Sequence, residues 1–185
     1  MTKTKKKNEL FDWIKSLIIA VLIVVIARYF LFTPIIVQGK SMKPSLYNGD
    51  RMIVSKIGTP KRFDIIVFHA TKNKDYIKRV IGLPGDTIEY KNDNLYINGK
   101  VYQEEYLDKS KKQLKGLKIE GPLTEDFSLT DKIGRKTVPE GSLFVMGDNR
   151  RHSTDSREIG VIPINKVIGK PILLYWPIKD FQIVK

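Results

Sequence analysis

An unbroken apolar stretch from Leu17 to Ala27, preceded by Lys3, Lys5, Lys6 and Lys7, constrains this chain more than any other feature. Counted from Trp13, the run is about 20 residues, enough at 1.5 Å per helical residue to cross a hydrocarbon layer of roughly 30 Å. Arg28 lies near its far end, where a long side chain can snorkel to the interface. Trp13, Tyr29, Phe30 and Phe32 fall where an aromatic belt sits. A cleavable leader begins in the same way, but it also needs small residues two apart at a cleavage position. Arg28 to Val37 is bulky, aromatic or branched, so an uncleaved single-pass anchor in the cell membrane is expected. Basic residues stay on the cytoplasmic side, which sends everything beyond Phe32 out of the cytoplasm. The expected division is a cytoplasmic basic tail at 1–12, an anchor at 13–33 and an extracytoplasmic domain at 34–185.

About 150 residues follow the anchor, sufficient for one domain with its own core. Short runs of branched and aromatic residues alternate there with glycine and proline: 35–37, 52–55, 65–68, 76–81, 87–90, 95–97, 143–146 and 167–175. This is the punctuation of an all-β domain. Asn98-Gly99, between Leu95-Tyr96-Ile97 and Val101-Tyr102, is a two-residue hairpin signal. Outside the anchor no helical periodicity is evident. Residues 103–136 are charged and poor in apolar anchors, and read as an insertion or flap.

The chain has no cysteine, which excludes disulfides, zinc-thiolate sites and a cysteine nucleophile. Its net charge of +13 would suit nucleic acid. However, part of the excess is the lysine head and the rest is dispersed without a nucleic-acid motif. Attraction to the lipid bilayer and its anionic surface fits the same charges, and no nucleic-acid partner is expected.

Three clusters could carry chemistry: Gly39 to Leu46, Tyr76 to Asp86, and Gly147 to Arg157. Taken singly they read as a turn, a strand entering a turn, and a solvated polar loop. Taken together and in this order they resemble the type I signal peptidases, membrane-bound serine proteases that remove signal peptides from exported proteins. The family pattern Ser-Met-x-Pro-Thr-Leu stands here as Ser41 to Leu46, with Ser45 in the threonine place. Lys-Arg-x-x-Gly-x-Pro-Gly-Asp is complete at Lys78 to Asp86, and Gly-Asp-Asn-x-x-x-Ser-x-Asp-Ser-Arg at Gly147 to Arg157. The chain looks nearer to the short Gram-positive forms, which lack a large second domain.

The resemblance implies a coiled-sheet, barrel-like and mainly β catalytic domain. It makes Ser41 the nucleophile, Lys78 the general base and Ser153 a hydrogen-bond partner of the lysine amine. Asp155 and Arg157 become a supporting ion pair, and Arg79 a structural residue. It also implies cleavage after small residues, as in Ala-x-Ala, of signal-peptide-bearing preproteins, with Ile36, Val37, Met42 and Ile77 as candidate pocket residues. No cofactor or metal is expected. In some members a hydroxyl two residues before the nucleophile completes the oxyanion hole. Gly39 occupies that position here, leaving the Ser41 amide alone or with another donor. Phe63 stands where the family commonly has glycine.

A serine hydroxyl becomes a nucleophile when a base takes its proton. A lysine at its ordinary pKa of about 10.4 is almost wholly charged at neutral pH and cannot do this. Burial and a nearby like charge both lower that pKa. Lys78 lies in the apolar run Tyr76 to Ile81 with Arg79 beside it, and alternation puts Lys78 on one face with Tyr76 and Val80. The rival base, His152 with Asp148 or Asp155, occupies a variable place in the third motif, and His69 ends an apolar strand. Ser41 follows Phe32 by nine residues, at most about 30 Å of chain, so the cut falls near the bilayer. Two other readings compete. Self-cleaving repressor proteases share Ser-Lys chemistry but are soluble and carry a DNA-binding domain. An inert, membrane-tethered β module would need neither Ser41 nor Lys78.

Overall fold

The computed structural model of the chain describes the backbone of residues 3–184 and the side chains of residues 9–184. The side chains of the lysine head therefore lie outside the described residues. A single long helix, α1 (Lys3–Phe30), opens the chain. Its segment Glu9–Phe30 is long and apolar enough to cross a membrane, and none of its most apolar window is buried against protein. The helix starts within the tail expected at 1–12. It ends at Phe30, short of the expected boundary at 33, because the chain has become extended by Phe32.

Beyond α1 the chain is mainly β. The larger sheet is built from β1 (Phe32–Ile36), β2 (Arg51–Ser55), β3 (Ile65–Thr71), β4 (Lys74–Gly82), β9 (Ser142–Met146), β10 (Ile162–Pro163), β11 (Val167–Trp176) and β12 (Gln182–Ile183). Its order is β1-β2-β11-β3-β4-β9-β10, with β12 also on β11, and every pairing is antiparallel. The smaller sheet comprises β5 (Ile88–Lys91), β6 (Asn94–Ile97), β7 (Lys100–Tyr102) and β8 (Phe127–Ser128), in the order β7-β6-β5-β8. Neither sheet closes on itself, so the architecture is coiled rather than a closed barrel.

The local reasons are visible in the residues. Ile88 and Tyr90 face inward while Glu89 and Lys91 face out, the period-two pattern of a half-buried strand. Ile65 to Phe68 are all buried, as a strand covered on both faces requires. Asn98 and Gly99 take φ of 52° and 75°, the left-handed pair of a type I′ turn. Phe63 has φ of 68°, the left-handed region that glycine enters without steric cost and a bulky residue rarely adopts. Its ring packs against Tyr102 and Tyr106, at centroid distances of 6.1 and 6.0 Å.

Three apolar clusters fill the domain. One, with Ile81, Ile88, Tyr90, Leu95, Phe127 and Phe144, joins the two sheets. A second, with Val37, Met42, Leu46, Met52, Ile65 and Leu174, lies under the turn that carries Ser41. The third, with Ile66, Phe68, Val80 and Val145, fills between β3, β4 and β9. Burying each such side chain stabilises by about 1.5–3 kcal/mol, so the Ser41 turn is anchored from below by Met42 and Leu46.

Two expectations are corrected. Helices exist outside the anchor: α2 (Asp108–Gly116), α3 (Leu129–Ile133) and α4 (Ser156–Ile159). They are too short to reveal a helical period, and α2 has no fully buried residue. Residues 103–136 are also more than a flap, since they supply β8 to the smaller sheet and Leu107, Leu123, Phe127 and Leu129 to the interior. Their apolar residues are few but widely spaced, and each is used.

Candidate active site

The Lys78 amine lies 2.7 Å from Ser41 Oγ. Ser41 stands in the turn after β1, whose hydrogen bonds include Lys43 N-H to the Lys40 carbonyl and Leu46 N-H to the Met42 carbonyl. Lys78 projects from β4, a strand buried from Lys78 onward. Its amine also donates to the Ile77 carbonyl at 3.1 Å and sits 5.0 Å from the centre of the Tyr76 ring, on the face that strand alternation predicts. Only 3% of Lys78 is exposed.

Burial lowers the pKa of Lys78 from 10.5 to about 8, against the opposing pull of the Asp155 and Asp148 carboxylates. Burial dominates the shift, and the like charge of Arg79 expected to assist it is not among the leading causes. The reason is geometric: Arg79 turns away and is neutralised by Asp148, with Nε to Oδ1 at 2.9 Å and NH2 to Oδ2 at 2.6 Å. Desolvation thus moves the lysine's titration toward the neutral pH range.

Asp148 also accepts from the Ser45 hydroxyl at 2.5 Å, so Ser45, Arg79 and Asp148 tie the three sequence motifs to one another. Arg79 further donates to the Phe63 carbonyl at 2.8 Å, and its guanidinium lies 4.0 Å from the Tyr106 ring centre. Ser45 in the threonine place thus retains the hydroxyl that matters. The sequence reading considered Asp148 only as a partner for the rival base His152, although the motif contained it. An acid completely buried beside a buried arginine becomes apparent only in three dimensions.

The loop from Gly147 to Arg157 closes against the nucleophile turn. Asn149 N-H donates to the Ser41 carbonyl at 2.9 Å, and its side-chain amide to the Lys40 carbonyl at 3.1 Å. A Cβ on Gly147 would collide with the Ser153 side chain and the Ser41 carbonyl, which explains the glycine. Asp155 accepts from Gly147 N-H at 2.9 Å and from Arg157 Nε and NH2, both at 2.8 Å. Burial would raise the Asp155 carboxyl, but the Arg157 hydrogen bonds and charge prevail and hold it below the usual carboxylate range.

Ser153 departs from its expected role. Its Oγ is buried and, among the described residues, makes no hydrogen bond, whereas the Lys78 amine is engaged by Ser41 and the Ile77 carbonyl. Ser153 sits close enough to Asp155 to favour that carboxylate without meeting hydrogen-bond geometry. Gly39 has φ of 92° and donates its N-H to Asn48 Oδ1 at 3.0 Å, so its amide is occupied. Among the described residues the Ser41 N-H makes no hydrogen bond within the chain, and it is the donor beside the nucleophile.

A cleft of about 740 Å³ opens beside Ser41 and Lys78. Ile36 and Ile77 line it, together with Ile35, Val67, Asp75 and Thr154. Val37 and Met42 do not line it. They are 3% and 2% exposed and pack into the cluster beneath the turn with Leu46, Met52, Ile65 and Leu174. His152 is at the cleft wall, but among the described residues its ring makes no hydrogen bond. His69 instead lies 2.7 Å from Asp75 at the surface.

Behind the loop lies a feature that sequence reasoning missed. Arg150, 2% exposed, donates to Glu104 Oε1 at 2.6 Å, the Tyr90 hydroxyl at 2.7 Å, Thr124 Oγ1 at 3.2 Å and the Gly147 carbonyl at 3.1 Å. Burial raises the hydroxyl pKa values of Tyr90 and Tyr106 well above the ordinary range, so both stay neutral and donate to Glu104.

A family model described as "Signal peptidase, peptidase S26" matches residues 10–176. The chain is 49% identical over 186 residues to signal peptidase I of Bacillus caldolyticus, covering 98% of both chains. It is 41% identical over 180 residues to signal peptidase IB of Staphylococcus aureus strain N315, covering 95% of this chain and 94% of the relative. A crystal structure of a signal peptidase I from Enterococcus faecalis V583 aligns with a TM-score of 0.57 at 44% identity, over 62% of this chain and 97% of that one.

Proposed function

This chain belongs to the S26 signal peptidase family, and we propose that it cuts preproteins by a Ser41-Lys78 dyad, after small residues, at the outer face of the membrane. As a family member it is a serine endopeptidase that removes signal peptides, and it carries an apolar N-terminal helix. The observation that carries the dyad is the buried Lys78 amine, 2.7 Å from Ser41 Oγ.

In this reading Ser41 Oγ attacks the scissile carbonyl as the neutral Lys78 amine takes its proton. The Ser41 N-H donates to the developing oxyanion. The Lys78 ammonium then protonates the departing amine of the mature chain, leaving the signal peptide as an ester on Ser41. A water molecule, deprotonated by Lys78, attacks that ester, and the released serine oxygen recovers the proton. Asp155 and Arg157 hold Gly147 and thereby the loop against Ser41, and Arg79 with Asp148 joins the two catalytic segments. Small-residue specificity rests on the cleft wall at Ile36 and Ile77, which leaves shallow room along an extended substrate. The basic head supports a cytoplasmic N-terminus with contact to anionic lipid.

The pH profile tests the dyad. Lys78 must be neutral, so preprotein cleavage, measured as kcat/KM, is expected to rise with pH, bend near the lowered lysine value of about 8 and level off above it. A limb at the free-lysine value, near 10.4, would contradict the assignment. The rival histidine base has its own test. His152→Ala is expected to keep at least about a tenth of wild-type activity, whereas removal of a general base costs about 10²–10⁴-fold.

A further inference from the structure

Past the nucleophile turn a second groove, of about 420 Å³, opens between that turn and the end of α2 with the chain that follows it. Pro44 and Tyr47 form one wall, and Leu114, Leu117, Ile119 and Leu123 the other. Leu117 and Ile119 are 61% and 44% exposed. Apolar surface gathered in a concavity, unlike a lone exposed leucine, marks an interaction site. His152 lines both this groove and the cleft beside Lys78, so the two adjoin around one side chain. Asn149, which holds the Ser41 and Lys40 carbonyls, lies on the groove side.

The direction of the substrate follows from β1. Ile35 and Ile36 line the cleft, whereas no residue of β1 lines the groove. Because β1 leads directly from α1, the cleft is the side reached by a signal peptide still held in the membrane. The polypeptide after the scissile bond then leaves on the other side of Ser41.

We propose that this groove receives the first residues of the mature chain and favours an apolar side chain among the second to fourth of them. The proposal rests on the reading of Ser41 and the cleft given above. An extended chain advances about 3.3 Å per residue, so these positions lie roughly 7–13 Å past the cut, the reach expected of a groove that shares His152 with the cleft. The rim is basic. Lys43 sits 5.3 Å from the Tyr47 ring centre, and Arg151 is fixed by the Glu120 and Pro122 carbonyls. Lysine or arginine is therefore disfavoured in the same mature positions. The stretch 117–123 thereby gains a role as a wall for the product side.

The test uses full-length enzyme and preproteins with one signal peptide, differing only by leucine or glycine at the second, third and fourth mature positions. At the best of these positions leucine is expected to raise kcat/KM about fivefold, the effect of partly burying one such side chain. The double variant Leu117→Ser/Ile119→Ser, at exposed positions, is expected to bring that ratio to about one. A wild-type ratio of one at all three positions, or a fivefold ratio retained by the double variant, would overturn the proposal. Failure of the wild-type enzyme to cut any of these preproteins would instead remove the underlying reading of the site, and the groove assignment with it.

Discussion

Ser41→Ala and Lys78→Met are each expected to reduce preprotein cleavage by more than about 1000-fold while the protein stays folded. The Ser41 hydroxyl is the atom that would become acylated, and its removal leaves only binding and the oxyanion donor. In proteases of this kind those account for a small residue of catalysis. Lys78 is the one base in contact with that hydroxyl among the described residues, and methionine fills its volume without an amine. Stability supplies the second readout. The folded-state pKa of Lys78 is lowered to about 8, below its unfolded value, so below about pH 8 the native state bears the cost of a buried ammonium. That cost is about 3 kcal/mol by linkage, and it disappears as pH rises from about 8 to 10.5. Lys78→Met is therefore expected to be as stable as wild type at pH 7, or more so, by thermal or urea unfolding. Wild-type cleavage by either variant would remove the dyad.

Arg150→Met is expected to destabilise the protein by about 3–5 kcal/mol, the usual result of leaving a buried charge without its partner. The stranded group is Glu104, whose side chain is 2% exposed and whose Oε1 accepts from Arg150 at 2.6 Å. Activity should fall as well, because Arg150 Nε holds the Gly147 carbonyl at the base of the loop that contacts Ser41. The double variant Arg150→Met/Glu104→Met separates charge from packing, since exchanging a whole buried pair for apolar groups is often neutral or stabilising. It is expected to recover at least half of the lost stability in chemical denaturation followed by circular dichroism. If the single variant loses less than about 1 kcal/mol, the network does not hold the loop.

These two experiments address residues that differed greatly in legibility. Ser41 and Lys78 could be named because each belongs to a motif that resembles the family's; alone, Ser41 reads as a turn residue and Lys78 as a snorkelling surface lysine. The pairing of Asp155 with Arg157 was accessible only as something the resemblance implied, since by themselves two charges in a polar loop read equally well as solvated. Arg150 belonged to the same loop, yet its partners Glu104, Tyr90, Tyr106 and Thr124 come from the smaller sheet and the charged segment. Nothing in their local sequence marks them as neighbours. Val37 and Met42 went the other way. They are apolar and adjacent to the nucleophile, but strand and turn geometry directs them into the core.

The apolar stretch that begins the chain, the alternating runs behind most strands and the Asn98-Gly99 turn were determined by sequence, because each depends on residues within one turn or one strand of each other. The order of strands in the sheets, the use of 103–136 as part of the interior and the joining of Ser45, Arg79 and Asp148 were decided by tertiary structure. So was the state of Lys78. A sequence can place a lysine in an apolar strand, but only packing from every side removes the water that would keep its amine charged.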